Sequence, residues 1–356
     1  MSHPPSSVPR SPSSVLHPPL ISIIVPVFNR ANEIDEFLAS FSAQTIKDFE
    51  ILIIDDGSTD NLKEVVEKYK KDLKLHYFYQ KNQGPGAARN LGMEKANGDV
   101  FVFIDSDCTV PKEYIENLEK HLKDEDFDTF GGPDTYKEDF SPFLKAVNYS
   151  MTSFIGTGGT RGTTGKRVSK YYPRSFNMGI KKEVYEKIGG MNELRHGQDM
   201  DFSNRIYKAG FRIKFLSDVF VYHKRRTNLK RFFKQIFNWG ITRINLGRID
   251  KNMLKFVHCL PFFVLSGFML TLIFSFRFPI FWLFFSIECL IAVFILSFAF
   301  IQSTLKYKSS IVGLLSIATL LIQVVAYGLG FGVGLIKSIF TKKGKFIRGF
   351  TKKYYE

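Results

Sequence analysis

The chain has 356 residues, 45% of them apolar, with 49 Lys and Arg against 34 Asp and Glu for a formal net charge of +15. That length can bury a sizeable core and more than one domain. The basic excess crowds into the C-terminal half beside long apolar runs, which suits an anionic membrane surface; no zinc-finger spacing or RNP-like motif accompanies it, so no nucleic-acid partner is expected.

Residues 1–19 are mostly Pro, Ser and His. They cannot bury enough surface to offset chain entropy and lack the apolar core of a signal peptide, so they read as a disordered lead. Ile21–Val27 is a nearly continuous apolar run, the mark of a strand buried on both faces. Phe28-Asn29-Arg30 breaks it, and a helical pattern follows from about Ile34 to Gln44. Phe49–Ile54 is a second buried strand, closed by Asp55-Asp56-Gly57-Ser58. A helix over Glu64–Lys70 and a short strand over Leu75–Tyr79 come next. Gly84-Pro85-Gly86 opens another helix to about Ala96, and Val100–Ile104 is the central strand. Strands alternating with helices imply βαβ units and a parallel sheet. In such sheets ligands bind beyond the carboxyl ends of the strands, where Asn29, Asp55, Asp56, Asp105 and Asp107 all fall.

Asp105 and Asp107 end the central strand one residue apart. If the segment stays extended, side chains at i and i+2 point the same way and both carboxylates can meet one hard cation. The competing reading is a plain turn, for which Asp-Ser-Asp is good chemistry. Beyond Gly131-Gly132-Pro133 the pattern loosens, and the stretch Gly156–Gly165 reads as a flexible segment able to close over a ligand, or as a surface loop. Order returns at Phe176–Ile180, followed by a helix over Lys182–Ile188 that Gly189-Gly190 ends. After Gln198-Asp199-Met200-Asp201 an amphipathic stretch runs to Ala209-Gly210, and Arg212–Leu216 and Val219–Tyr222 read as short strands closing at His223.

From Asn228 the composition changes. Lys230, Arg231, Lys234, Arg243 and Arg248 are interleaved with Phe232, Phe233, Ile236, Phe237 and Trp239, which predicts a basic amphipathic helix in a membrane interface over 228–255. Three apolar runs follow within 256–340: Phe256–Phe276, Pro279–Ile301 and Ile311–Ile339. Each reaches the ~20 residues that span hydrocarbon, giving about three spans before a basic tail, 341–356. Gly328, Gly330, Gly332 and Gly334 form two overlapping GxxxG pairs, a close-packing face. Cys108, Cys259 and Cys289 form neither a CxxC nor a disulfide framework, so the globular part is expected in a reducing compartment, as a cytoplasmic domain of an integral membrane protein.

Taken together, Val25-Pro26-Val27-Phe28-Asn29, Asp55-Asp56-Gly57-Ser58, Asn82-Gln83-Gly84-Pro85-Gly86-Ala87-Ala88-Arg89-Asn90, Asp105-Ser106-Asp107 and Gln198-Asp199-Met200-Asp201 resemble a family-2 glycosyltransferase. The resemblance covers about residues 20–225. It implies an α/β catalytic domain of the GT-A fold over 20–227, followed by an all-α membrane region. It implies a UDP- or GDP-linked sugar donor, Mg²⁺ or Mn²⁺, inversion at the anomeric carbon and a lipid-linked or glycan acceptor. Pro26, Asn29, Asp55, Asp56, Arg89, Asp105 and Asp107 would serve the donor, Asp107 and Asp105 the metal. Asp199 matches the general base, with Asp201 the second choice; as an isolated residue Asp199 also suits helix capping. Gln198 stands where the family usually has Glu. His223 matches a frequent family His and is equally good as a structural residue. Gln235-Ile236-Phe237-Asn238-Trp239 resembles the QxxRW motif of processive polysaccharide synthases, with Asn in place of Arg. Gln235 and Trp239 therefore keep a processive synthase as an alternative, and a non-catalytic nucleotide-binding membrane protein is a third reading.

Overall fold

The computed structural model describes residues 20–136, 138, 140–157, 171–224, 228–342 and 344–349. The expected disordered lead, most of the glycine-rich loop and the end of the basic tail lie outside them. The chain divides into two compact units. The first contains residues 20–135, 171–193 and 198–223, and the second residues 136–157, 194–197 and 224–349, within the described ranges.

In the first unit the chain runs β1 (Ile21–Val27), α1 (Ala31–Ser42), β2 (Phe49–Asp55), α2 (Leu62–Tyr69), β3 (Lys74–Tyr79), α3 (Pro85–Lys95) and β4 (Val100–Ile104). It continues through β5 (Cys108–Thr109), α4 (Tyr114–Asp124), β6 (Thr129–Gly131) and β7 (Asp134–Thr135). Beyond a segment belonging to the second unit come β8 (Asn177–Lys181), α7 (Lys182–Ile188), α8 (Gln198–Lys208), β9 (Ile213–Phe215) and β10 (Val221–His223). The main sheet has the order β3-β2-β1-β4-β8-β6-β9. Its first four strands are mutually parallel, and β8 is antiparallel to both its neighbours. A three-stranded sheet, β5-β10-β7, stands beside it.

Both faces of the main sheet are covered, which is why its central strands read as unbroken apolar runs. On one face Ile21, Ile23, Val25, Val102 and Ile104 pack with Ile34, Phe37 and Phe41 of α1. On the other, Ile24, Leu52, Phe101 and Phe103 pack with Ala88 and Met93 of α3 and Phe202 and Ile206 of α8. Pro26 lies beyond Ile24, the last β1 residue paired with β4, so its missing N–H leaves no gap in that ladder. Gly189 ends α7 at φ 71°.

The second unit holds α5 (Pro142–Thr152), α6 (Phe154–Thr157), α9 (Leu229–Ile249), α10 (Leu260–Ser275), α11 (Ile280–Tyr307) and α12 (Ser310–Phe340). Among the described residues, α11 and α12 are the two helices long and apolar enough to cross a membrane. Most of their large apolar side chains, Trp282, Leu290 and Phe294 among them, are exposed. The expected first span is instead a 3₁₀ turn at Phe256–His258 and the 16-residue α10, about 24 Å long against a hydrocarbon core of ~30 Å. The predicted interfacial helix is α9. Its apolar face, with Phe232, Ile236, Ile241 and Ile244, clusters with Ala326 and Phe331 of α12 and is not left open.

Candidate active site

Parallel pairing brings the ends of β2, β1 and β4 side by side, and the chemistry-bearing residues follow each end. After β4 the chain does not stay extended: the Cys108 N–H donates to the Asp105 carbonyl at 3.0 Å, closing a turn over Asp105-Ser106-Asp107. The extended geometry predicted for the two carboxylates is thus corrected. Asp105 accepts from Arg89 Nη2 at 2.5 Å. Asp107 pairs with Arg30 Nη1 at 2.5 Å through Oδ2 and stands 3.2 Å from His223 Nε2 through Oδ1.

The small sheet explains how His223 arrives. β10 runs antiparallel to β5 with His223 opposite Cys108, and parallel to β7 with Val221 opposite Asp134. His223 therefore stands between Asp107 and Asp134, whose Oδ2 is 3.4 Å from His223 Nδ1. Burial disfavours charge on both members of the Asp107–His223 pair. The charges of His223 and Arg30 nevertheless hold Asp107 well below the usual carboxylate range. Against the same burial, Asp107 and Asp134 push His223 up to about 9.

Asp107, Cys108 and His223 each bring one ligand atom within 4.8 Å of the others. Asp107 Oδ1 is buried with no donor in hydrogen-bonding geometry, although His223 Nε2 is its neighbour, as two ligands of one ion would be. A carboxylate and an imidazole fit a divalent cation. Burial raises the Cys108 thiol pKa well above its ordinary value, which disfavours it as a thiolate ligand.

At the β2 end both Asp55 oxygens are engaged: Oδ1 accepts from Ser58 N at 2.7 Å and Oδ2 from the Tyr77 hydroxyl. Asp56 accepts from Gln80 Nε2 at 2.6 Å, Gln83 N at 2.9 Å and Gly84 N at 2.7 Å. It thereby fixes the loop that opens α3, a structural task. Asn29 adopts the left-handed φ of 51°, which Asn tolerates better than most residues. Its Oδ1 accepts from Thr59 N at 2.7 Å and its N–H donates to Ser58 Oγ at 2.9 Å, tying the β1 and β2 ends together. A cleft of about 420 Å³ opens beside Asp55, lined by Ser58, Asp60, Glu64, Tyr77 and Tyr79 among others.

Asp199 and Asp201 both lie in the first turn of α8, where the helix dipole favours an ionised carboxylate. Their surroundings separate them. Asp201, with a side chain 4% exposed, accepts from Arg205 Nε at 3.0 Å, and Arg205 also donates to the Ile188 and Gly190 carbonyls. Asp199 is 18% exposed and its Oδ2 lies 3.6 Å from Arg174 Nη1. Gln198 is buried and packs on Gly86 of α3, where a Cβ would strike its amide. Gln235 and Trp239 lie in α9, in the second unit, with Trp239 packed against that unit's apolar cluster.

Sequence reasoning missed Arg30, Asp134, Tyr77 and Arg174. Only Arg30 carried a signal: a lone cation straight after a strand-end Asn, beside a strand ending in two carboxylates.

A covered, mostly parallel sheet with acidic residues gathered at its strand ends is the architecture of a nucleotide-handling α/β domain. The profile described as "Glycosyl transferase family 2" matches residues 22–237, and the chain belongs to that family. It is 28% identical over 257 residues to glycosyltransferase AglE of Haloferax volcanii, covering 70% of this chain and 82% of that protein. An uncharacterized glycosyltransferase of Rickettsia felis is 48% identical over 113 residues, 32% of this chain. There the matched part spans only 19% of the relative's length. The mannosyltransferase PcManGT of Pyrobaculum calidifontis, solved with GDP-Man and Mn²⁺, superposes with a TM-score of 0.62 at 17% identity over 87% of both chains. The fold is thus GT-A, followed by a helical region with two long apolar helices.

Proposed function

We propose that this chain is a membrane-anchored, metal-dependent inverting glycosyltransferase. In this reading it moves a sugar from a UDP- or GDP-linked donor to a lipid-linked or otherwise membrane-proximal acceptor. The observation that carries the proposal is the pairing of two features in one unit. One is the Arg30–Asp107–His223 cluster at the β4 end; the other is a part-exposed carboxylate, Asp199, at the start of α8.

Each residue has a task in this reading. The cleft beside Asp55 receives the nucleoside, whose hydroxyls and base N–H suit carboxylate acceptors. Arg89 orients Asp105 toward the donor. Mg²⁺ or Mn²⁺ held by Asp107, with His223 and Asp105, would stabilise the negative charge of the departing nucleoside diphosphate. Asp199 takes the proton of the acceptor hydroxyl, and Arg174 orients it. Asp201 and Gln198 hold α8 in place. The catalytic unit faces the cytoplasm, in line with three cysteines that are all free.

The test is Asp199→Asn, measured by transfer kcat alongside the donor Kd. A general base is worth roughly 10²–10⁴-fold, so kcat should fall at least a hundredfold with Kd little changed. A near-normal kcat would remove Asp199 from the base role. Release of no nucleoside diphosphate by the wild-type protein with any nucleotide sugar and Mn²⁺ would overturn the enzyme reading.

A further inference from the structure

Arg30 is built into the β1–α1 junction so that it reaches the end of the neighbouring strand. Asn29 turns the chain through a left-handed conformation and is pinned by Thr59 and Ser58. The next N–H, of Ala31, donates to Asp60 at 2.9 Å. With both flanks fixed, the guanidinium crosses from β1 to β4, its immediate neighbour in the sheet, and meets Asp107 Oδ2. Its side chain is 24% exposed, so it has an open side toward which it can move. Arg89, the cation paired with Asp105, is 5% exposed and also donates to the Pro85 carbonyl. The two pairs thus differ: one cation is embedded, the other is held at one end only.

A fixed positive charge on a carboxylate opposes any second cation there by the same Coulomb attraction that opposes protonation. An opposite charge this close shifts a carboxylate's proton affinity by roughly 10–10³-fold. Arg30 and His223 balance Asp107 and Asp134, and Arg89 balances Asp105, so each group is neutral overall. A divalent cation arriving alone would bring two uncompensated charges to the β4 end. One arriving with a nucleoside diphosphate would not, because the diphosphate offers Arg30 a new partner for its fork of donors.

We propose that Arg30 is a resident competitor for the divalent cation at Asp107 and the residue that couples cation binding to the diphosphate of the donor. Arg30 occupies Oδ2 while the donor is absent and transfers to the diphosphate when donor and cation enter together. The inference rests on the metal-dependent reading above. It makes Arg30 a positioning residue whose effect appears in binding, without turnover.

The experiment uses the full chain in detergent and measures Mn²⁺ binding by electron paramagnetic resonance, alone and with saturating UDP or GDP in separate arms. Wild-type protein should bind Mn²⁺ at least about tenfold more tightly with the matching nucleotide than without it. Arg30→Met should bind nucleotide-free Mn²⁺ at least about tenfold more tightly than wild type, while its affinity for UDP or GDP falls. Coupling between the two ligands, which is reciprocal, should shrink accordingly. Arg30→Lys keeps the charge, so its nucleotide-free Mn²⁺ affinity should stay within about threefold of wild type. Melting temperatures of both variants establish that they fold; if Arg30→Met does not, Arg30→Gln takes its place. Unchanged or weaker Mn²⁺ binding by the neutral variant would overturn the competitor role and leave the enzyme reading standing. Absence of Mn²⁺ binding to wild-type protein with either nucleotide would instead remove the metal-dependent reading, and this inference with it.

Discussion

Glu50 shows how a buried carboxylate in this unit is sustained by its neighbours. Its residue is fully buried, yet Oε1 accepts from Ser22 Oγ and Asn97 N, each at 2.7 Å. Oε2 accepts from Asn97 Nδ2 at 3.1 Å and lies 3.3 Å from His76 Nε2. Burial pushes its pKa up, but the Ser22 and Asn97 hydrogen bonds outweigh that and hold it below its ordinary value. A depressed folded-state pKa contributes stability that is present above the unfolded value of about 4.3 and is lost as pH falls through the folded value. Glu50→Gln removes the charge from these bonds and should cost roughly 2 kcal/mol at pH 7. The gap to wild type should narrow on acidification, because only the wild type loses this contribution. Urea midpoints at pH 7 and at about pH 4 check it; a gap independent of pH would count against the role. Asp56 and Asp201 are of the same kind, carboxylates engaged by backbone or by an arginine. Asp107 and Asp199, the proposed working carboxylates, keep part of their surface open.

At the level of elements, the glycines of α12 divide between two neighbours. A Cβ on Gly330 would strike the Phe237 carbonyl and one on Gly240 the Tyr327 carbonyl, so these residues set the distance between α9 and α12. Gly328 and Gly332 face Pro261 and Phe262 at the start of α10. The two overlapping GxxxG pairs seen in the sequence are therefore two faces, one for each partner helix. Gly330→Ala should force the pair apart and cost about 1–3 kcal/mol. Gly267→Ala, whose added Cβ would lie 3.9 Å from Glu288 Oε1, should be neutral or slightly stabilising through helix propensity. Equal melting temperatures for the two variants in detergent would refute the close-packing argument. Legibility in the sequence followed the same physics. β1, β4 and α7 coincide with their predicted limits because long apolar runs and a terminal glycine mark them. α5 passed unread where the pattern loosens, and α4, which precedes that point, was also missed. So were β5, β6 and β7, because strands of two or three residues have no periodicity to read. The site was legible as a set of strand-end acids. Its pairing was not, since the turn at Asp105–Cys108 and the approach of His223 through β5 depend on contacts distant in sequence.

For the whole molecule, the tail and the end of α9 are fastened together. Arg248 donates to the carbonyls of Ser338, Thr341 and Lys342, each at 2.9 Å, closing the C-terminus of α12. Asn245 exchanges two hydrogen bonds with the backbone of Ile347, at 2.9 and 2.8 Å, and Ile347 is buried in the same apolar cluster as Ile241 and Ile244. In the proposed membrane-anchored chain, residues pinned to one another would share one side of the bilayer, so the chain between the end of α9 and the tail would cross an even number of times. With 28 and 31 residues, α11 and α12 extend about 42 and 46 Å and can each cross, while α10 falls short. They meet at a tight turn around Lys308, at φ 51°, next to Tyr307, whose hydroxyl accepts from Asn148 Nδ2 of α5 at 2.9 Å. The prediction is made on a background with Cys259 and Cys289 replaced by Ser, leaving buried Cys108 in place. In intact cells, Lys251→Cys and Lys345→Cys should react alike with a membrane-impermeant thiol reagent. A difference between positions 251 and 345 would show that the fastening at Arg248 and Asn245 does not hold in the membrane.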